Sequence, residues 1–242
     1  MTRDAEAGDG GTRDADRPMP GWPAAHAALA AGRIAAVLRH GGRTTLYPWP
    51  TDGAAETSGG GPAPGAGPLI FPGSFDPVHD GHRRMCDLAE AIAGRGCAWE
   101  VAVVNADKPP AAAGAVLARL AGLGADRPVW LTATATFAAK ARVFPGATFV
   151  VGADTVARIG RPRFYGGEAG RDAALAELAR RGARFLVFGR LLDGTFREWT
   201  ELDLPPALAA LCRGVDGRTF RSDESSTRLR GLRDRAGTVP PA

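Results

Sequence analysis

The sequence predicts an α/β protein built on a doubly wound parallel sheet, and three observations carry that reading. From Leu69 onward, short apolar runs of strand length alternate with Ala-, Leu- and Arg-rich segments of helical spacing, the pattern of parallel βαβ units. Hydrophobic residues make up 45% of the 242 residues, enough to fill the core of one large α/β domain. The surplus of 33 glycines and 19 prolines is concentrated in front of the alternating region.

Taken in order, residues 1–20 are charged, Gly-rich and aperiodic, which reads as disorder. An Ala-rich stretch from Pro23 to Arg33 reads as a short helix. Ile34–Leu38 and Thr44–Trp49 flank His40-Gly41-Gly42 and read as a β-hairpin, a short N-terminal extension. Thr51–Gly67 is a Gly/Pro/Ala/Ser linker unable to form a core, so the main domain is expected over 68–242, after a tail, hairpin and linker over 1–67. Strands are expected at Leu69–Phe71, Trp99–Val104, Val129–Thr132, Thr148–Val151 and Arg184–Phe188, with helices over 80–93, 111–121, 136–143 and 171–181. The first of these helices aligns Met85, Leu88, Ala89 and Ile92 on one face, and Gly94 and Gly96 follow its end. In such a sheet ligands bind at the carboxyl ends of the strands, which points to the turn after Phe71.

Composition narrows the function classes. Thirty Lys and Arg against 26 Asp and Glu leave a net charge of +4, too mild to argue for a nucleic-acid partner. Lys108 and Lys140 are the only lysines. No run approaches the ~20 apolar residues of a membrane span, and the polar N-terminus MTRDAEAGDGGTRDAD has no secretory core. A cytoplasmic protein is expected, with neither membrane nor nucleic acid as partner. Cys86, Cys97 and Cys212 contain no CxxC pair, which excludes a disulfide scaffold and argues against a Cys-based zinc site. Cys86, beside the apolar stripe of its helix, reads as core.

The chemistry concentrates in Pro72-Gly73-Ser74-Phe75-Asp76-Pro77-Val78-His79-Asp80-Gly81-His82. Gly73 lets the backbone approach a ligand. His79 and His82 fall on the first turn of the following helix, whose unpaired N–H groups and positive end suit a phosphate. Imidazoles there can donate to phosphoryl oxygens as charge develops during phosphoryl transfer. Two histidines with no further ligand nearby make a poor zinc site, so no protein-held metal is expected.

GSFDPVHDGH resembles the signature of the H-x-G-H nucleotidyltransferase superfamily, and is closest to the form found in nicotinamide and nicotinate mononucleotide adenylyltransferases. The resemblance covers residues 69–230 and implies a Rossmann-like nucleotidyltransferase fold. Asp223-Glu224-Ser225-Ser226-Thr227-Arg228-Leu229-Arg230 resembles the family's C-terminal I-S-S-T-x-x-R motif. Ser225 or Ser226 caps a helix there, and Arg230 can grip phosphate as a fork. Glu224 departs from the family's Ile, and an acid beside a triphosphate is unfavourable unless it points away or works with Mg²⁺. Thr148–Thr155 looks like the family's G-x-D-T segment, with Gly152 ending a strand and Asp154 placed to accept from a ribose; Asp154 also reads as a helix N-cap. Phe144-Pro145-Gly146 fits the same subgroup. Lys108, in the loop Asn105–Pro110, reads equally as a point charge for phosphate and as an ordinary loop lysine.

The resemblance implies attack by the phosphate of nicotinamide or nicotinate mononucleotide on the α-phosphorus of ATP, releasing pyrophosphate, a step of NAD biosynthesis. Mg²⁺ would accompany the ATP as cofactor. His79, His82 and Arg230 would be the catalytic residues; Gly73, Ser74, Phe75, Lys108, Gly152, Asp154, Ser225, Ser226 and Thr227 would bind nucleotide and acceptor. Two alternatives stand beside it: another acceptor or CTP, as in cytidylyl or phosphopantetheine transfer, and a nucleotide-binding regulator with weak activity.

Overall fold

The computed structural model describes residues 22–40, 43–50, 63–104, 109–192, 194–222, 224–226 and 228–231. The N-terminal tail over 1–20, the Gly41-Gly42 turn, most of the Gly/Pro linker, and Lys108 and Thr227 lie outside them. Among the described residues no helix is long and apolar enough to cross a membrane.

Helix α1 (Trp22–Ala30) leads into a hairpin, β1 (Ala36–His40) and β2 (Arg43–Tyr47). After the linker, β3 (Leu69–Pro72), α2 (Asp80–Ala93), β4 (Cys97–Ala102), α3 (Ala113–Leu123) and β5 (Val129–Thr132) alternate as the sequence predicts. They continue through α4 (Phe137–Val143), β6 (Thr148–Gly152), α5 (Ala153–Ile159), α6 (Glu168–Arg180) and β7 (Arg184–Phe188). A small hairpin, β8 (Arg190–Leu192) and β9 (Thr195–Arg197), then α7 (Pro206–Ala209) and β10 (Cys212–Val215), complete the chain. The three last strands were not expected. Each is only three or four residues long and mostly unburied, too short to show a period.

Eight strands form one sheet in the order β10-β7-β6-β3-β4-β5-β1-β2. The first six are mutually parallel, and read from β5 they give the 3-2-1-4-5-6 order of a Rossmann-like doubly wound fold. The sheet is nevertheless mixed, a correction to the all-parallel expectation. β1 pairs antiparallel with β5, and β2 with β1, so the N-terminal hairpin extends the sheet across the linker. The physical reason is burial: Ala36 and Val37 are fully buried, and the edge of β5 offers their backbone a ladder. β4 begins at Cys97, two residues before the expected Trp99, because its ladder to β3 starts at Leu69 and Cys97.

Helices cover both faces. On one, α2 and α3 supply Met85, Cys86, Ala89, Val116, Leu120 and Leu123 to a core centred on the fully buried Trp99. On the other, α4, α5 and α6 supply Ala141, Val156, Ile159, Leu175 and Leu178 against Phe149 and Phe185. At about 25 cal/mol per Å² of apolar surface, these two layers are the main source of stability.

The winding reverses between β3 and β6, and there the ladder stops early. It pairs only Leu69 with Thr148 and Ile70 with Phe149, although β3 runs on to Pro72 and β6 to Gly152. The ladder between the two central strands thus ends well short of their carboxyl ends at the switch point, where doubly wound sheets have their ligand crevice.

Candidate functional site

The turn after β3 is shaped by aromatic burial. Phe75 has a positive φ of 44°, unfavourable for a residue with a Cβ, and is held there by its ring. That ring is 2% exposed and packs edge-on against Phe71, Trp99 and His82, with centroids 4.9–5.4 Å apart. It folds back over Gly73, where a Cβ would lie 2.7 Å from Cζ of the ring. Gly73 is thus required by Phe75, and its amide donates to Glu100 O at 2.9 Å. Of the turn residues expected to touch ligand, Phe75 is interior support and Ser74 faces solvent.

Helix α2 starts immediately beyond, with His79 as its N-cap in extended conformation. The two imidazoles stack, centroids 3.7 Å apart and planes 30° apart. The His79 backbone N–H donates to His82 Nδ1 at 3.3 Å. An accepting Nδ1 assigns the proton of neutral His82 to Nε2. Burial, reinforced by the neighbouring His79 and by Arg190, pushes the His82 pKa down to about 3. Burial also lowers His79, with Arg190 adding to the effect and Glu224 and Asp80 opposing it. Both rings are therefore neutral at neutral pH, and His82 carries an Nε2–H donor.

His79 is 7% exposed, and neither of its ring nitrogens has a hydrogen-bond partner among the described residues. Its Nδ1 lies 3.5 Å from Glu224 Oε2, an electrostatic contact without hydrogen-bond geometry. A buried polar atom without a partner costs about 1–3 kcal/mol, a cost that a ligand can relieve. Gly81, two residues on, is buried; a Cβ there would come 2.6 Å from Ser222 Oγ and 3.0 Å from His79 Nδ1. The glycine after His79 is thus a packing requirement, because the His79 imidazole and the C-terminal segment close over the Gly81 backbone.

That segment clamps the turn. Ser225 Oγ accepts from the Arg228 amide at 3.2 Å, which caps a short helical stretch. Ser226 Oγ donates to Pro77 O at 2.9 Å, and Arg230 Nη1 to Asp76 O at 2.7 Å. Ser225, Ser226 and Arg230 therefore come to the predicted site, and two of them reach the turn's carbonyls. Glu224, read from sequence as a departure, points inward: its Oε2 accepts from the Gly81 amide at 3.2 Å.

Across the crevice, Gly152 is the N-cap of α5, and exposed Asp154 lies in its first turn. Asp154 does not cap α5. Its Oδ1 lies 3.7 Å from Nε of Arg190, whose Nη1 donates to Glu224 O at 3.3 Å. Arg190 is the site residue that sequence reasoning missed. Its side chain is 17% exposed and both of those contacts are long. It follows a buried apolar strand directly, as Phe188-Gly189-Arg190, so the strand-end rule used for Phe71 would have found it.

Not every charge belongs here. Lys140 is 5% exposed and donates to Glu100 Oε1 at 2.7 Å and to Thr134 O at 3.1 Å, on the opposite face of the sheet. Among the described residues no three His, Cys, Asp or Glu side chains converge to hold a metal ion.

The fold and site together define a doubly wound α/β protein with the amino end of a helix and two stacked imidazoles at its switch point. The chain matches no protein-family model, no curated protein and no solved structure.

Proposed function

We propose that the protein is a nucleotidyltransferase that transfers AMP from ATP to a small phosphorylated acceptor, with nicotinamide or nicotinate mononucleotide the favoured acceptors. The observation that carries this is the orphaned His79 imidazole, buried at the amino end of α2 beside the neutral Nε2–H donor of His82. Donors fixed at a helix amino end in a switch-point crevice suit a polyphosphate whose charge shifts during reaction. Resemblance of GSFDPVHDGH and of 223–230 to the H-x-G-H enzymes selects nucleotidyl transfer among phosphate chemistries.

In this reading an acceptor phosphate oxygen forms a bond to the α-phosphorus while the bond to the bridging oxygen breaks, and pyrophosphate leaves with the electron pair. No covalent enzyme intermediate is needed; catalysis is positioning and charge stabilisation. His79 and His82 donate to the α-phosphoryl and bridging oxygens. Arg190 supplies positive charge across the crevice, and Arg230 holds the turn while the 225–230 segment covers the leaving phosphates. Asp154 and Glu224, both about half exposed, are engaged by Arg190 and an α2 amide. That donor set suits a Mg²⁺ ion held chiefly by the phosphates, where it would neutralise charge on the leaving group.

The test is pyrophosphate release from ATP and from CTP against a panel of phosphate acceptors. Release with ATP and a pyridine mononucleotide is the expected result. Release only with CTP, or with phosphopantetheine, moves the assignment within the superfamily. A nucleotide-binding regulator is the second reading, favoured by Glu224 lying against His79, and release with no acceptor would establish it.

A further inference from the structure

Glu224 sits where a phosphate oxygen would sit. Its carboxylate accepts from the Gly81 amide at the amino end of a 14-residue helix and lies 3.5 Å from Nδ1 of His79. A second observation shows that this place is made for a stronger partner. The His79 ring is 7% exposed and lacks hydrogen bonds on both nitrogens, so the carboxylate satisfies the helix end but not the imidazole. Three further contacts hold the acid in position: Arg190 donates to the Glu224 carbonyl, and Ser226 and Arg230 bind the carbonyls of Pro77 and Asp76. The side chain itself is 49% exposed, so it can swing outward while its backbone stays clamped.

We propose that Glu224 is an internal competitor, a carboxylate that fills the phosphate position of the ligand-free site and is exchanged for a ligand phosphate on binding. The inference rests on reading the amino end of α2 as a phosphate site, and it names the residue that sets the affinity there. Every anion entering that position must displace the carboxylate, so each bears the same loss. Orthophosphate, with one anchor, is pushed out of the useful range. A triphosphate, with several anchors, is retained. Sequence alone marked Glu224 as unfavourable for a triphosphate; the geometry gives the reason a function.

The test titrates inorganic tripolyphosphate into wild-type protein, Glu224→Ala and Glu224→Asp by calorimetry, and follows the Gly81 amide by NMR. Glu224→Ala is expected to bind about two- to fivefold tighter, the range of a half-exposed charged contact. Glu224→Asp keeps the charge but is one methylene too short to reach Gly81, so it gains most of the same increase. The Gly81 resonance should shift on either substitution and return toward its wild-type position as tripolyphosphate is added. A gain in the Ala variant that is absent in the Asp variant would mean general charge repulsion and overturn the proposal. Unchanged or weaker affinity in Glu224→Ala, or no binding to any variant, would overturn it as well. Pyrophosphate release from ATP is scored separately. Tighter binding without turnover leaves the competitor standing and removes nucleotidyl transfer; turnover with equal affinities does the reverse.

Discussion

The two ends of α2 are built from the same materials and treated in opposite ways. At its carboxyl end Gly94 adopts the left-handed conformation and its amide donates to Glu90 O at 2.8 Å, closing the helix. Glu90 then accepts from the Cys97 amide at 2.8 Å and from Arg127 at 3.1 and 3.2 Å, while Arg127 also reaches Asp87 and Asp126. These hydrogen bonds hold the Glu90 carboxyl below its ordinary range and raise Arg127 above its own. At the amino end, in contrast, the His79 imidazole has no hydrogen-bond partner among the described residues, the contacts of Arg190 to Asp154 and the Glu224 carbonyl are long, and a half-exposed acid borrows a helix amide. The network at the carboxyl end ties α2 to β4 and to the residues before β5, whereas the His79 ring at the amino end, on the proposed reading, is left for a ligand. The predictions ask whether function and stability divide along the same line.

The largest effect is expected at His82. Replacing it with Ala removes the Nε2–H donor and should lower turnover about 10²–10³-fold, measured as pyrophosphate release, with the circular dichroism spectrum unchanged. Near-normal turnover would remove the imidazole pair from the mechanism. Gly81→Ala sharpens the contrast. Its Cβ would press on His79 Nδ1 and Ser222 Oγ, displacing the ring proposed to be catalytic and the C-terminal clamp. Turnover should fall roughly 10²-fold, as misplacement by about an ångström can cost that much. Alanine is also the better helix former by ~1 kcal/mol, so melting temperature should hold or fall only slightly. Activity lost at nearly constant stability is the signature of the unsaturated end.

Acid separates the two ends by window. His82 is neutral in the folded protein down to about pH 3 but takes a proton near the ordinary imidazole value of 6.5 when unfolded. The unfolded chain therefore binds the extra proton between those values, and stability falls as pH is lowered, by about 1.4 kcal/mol per pH unit for one such group. Glu90 works lower. Its carboxyl is depressed below 4.5, so its contribution is complete above that value and is lost as pH falls through its folded value. Denaturant unfolding from pH 7.5 to 5 should show a decline that Glu90 cannot cause. His82→Gln should make that decline shallower, and an identical slope in the variant would contradict the burial of the imidazole.

The sequence made some of this visible and concealed the rest for physical reasons. Periodicity located the strands β3 to β7 and the helix Asp80–Ala93, because long elements with one buried face repeat their pattern several times. Motif spacing pointed to His79, Gly81 and His82 because local chain geometry alone brings them together. Arg190 was legible by the strand-end rule and was passed over; the inward direction of Glu224 was not, because it meets α2 only through a contact more than a hundred residues apart in the chain. Attachment of the β1–β2 hairpin to β5 was hidden in the same way, since pairing across a linker leaves no local signature. The burial of Lys140 against Glu100 and Thr134 was hidden likewise, because Glu100 lies on another strand.

The smallest effect, and the one that most directly tests the division, is expected from Arg127→Ala. Arg127 lies just ahead of β5 and binds three carboxylates on or near the carboxyl end of α2, with a side chain 17% exposed. Its partners are themselves part-exposed, at 62%, 29% and 58%, so solvent screens much of the attraction. The loss should be only about 1–2 kcal/mol in denaturant midpoint, most of it from Glu90, the least exposed partner. Glu90 keeps the Cys97 amide when the guanidinium is removed, which limits the penalty of an unpaired acid. Glu90, the main partner, lies two turns of packed helix from His82, and Met85, Cys86 and Ala89 between them are buried against the sheet. A stable helix transmits little of a loss at one end to the other, so turnover should be unchanged within about twofold. If Arg127→Ala instead lowered turnover as steeply as Gly81→Ala, the two ends would be coupled through α2, and the partition of the helix into a holding end and a binding end would fail.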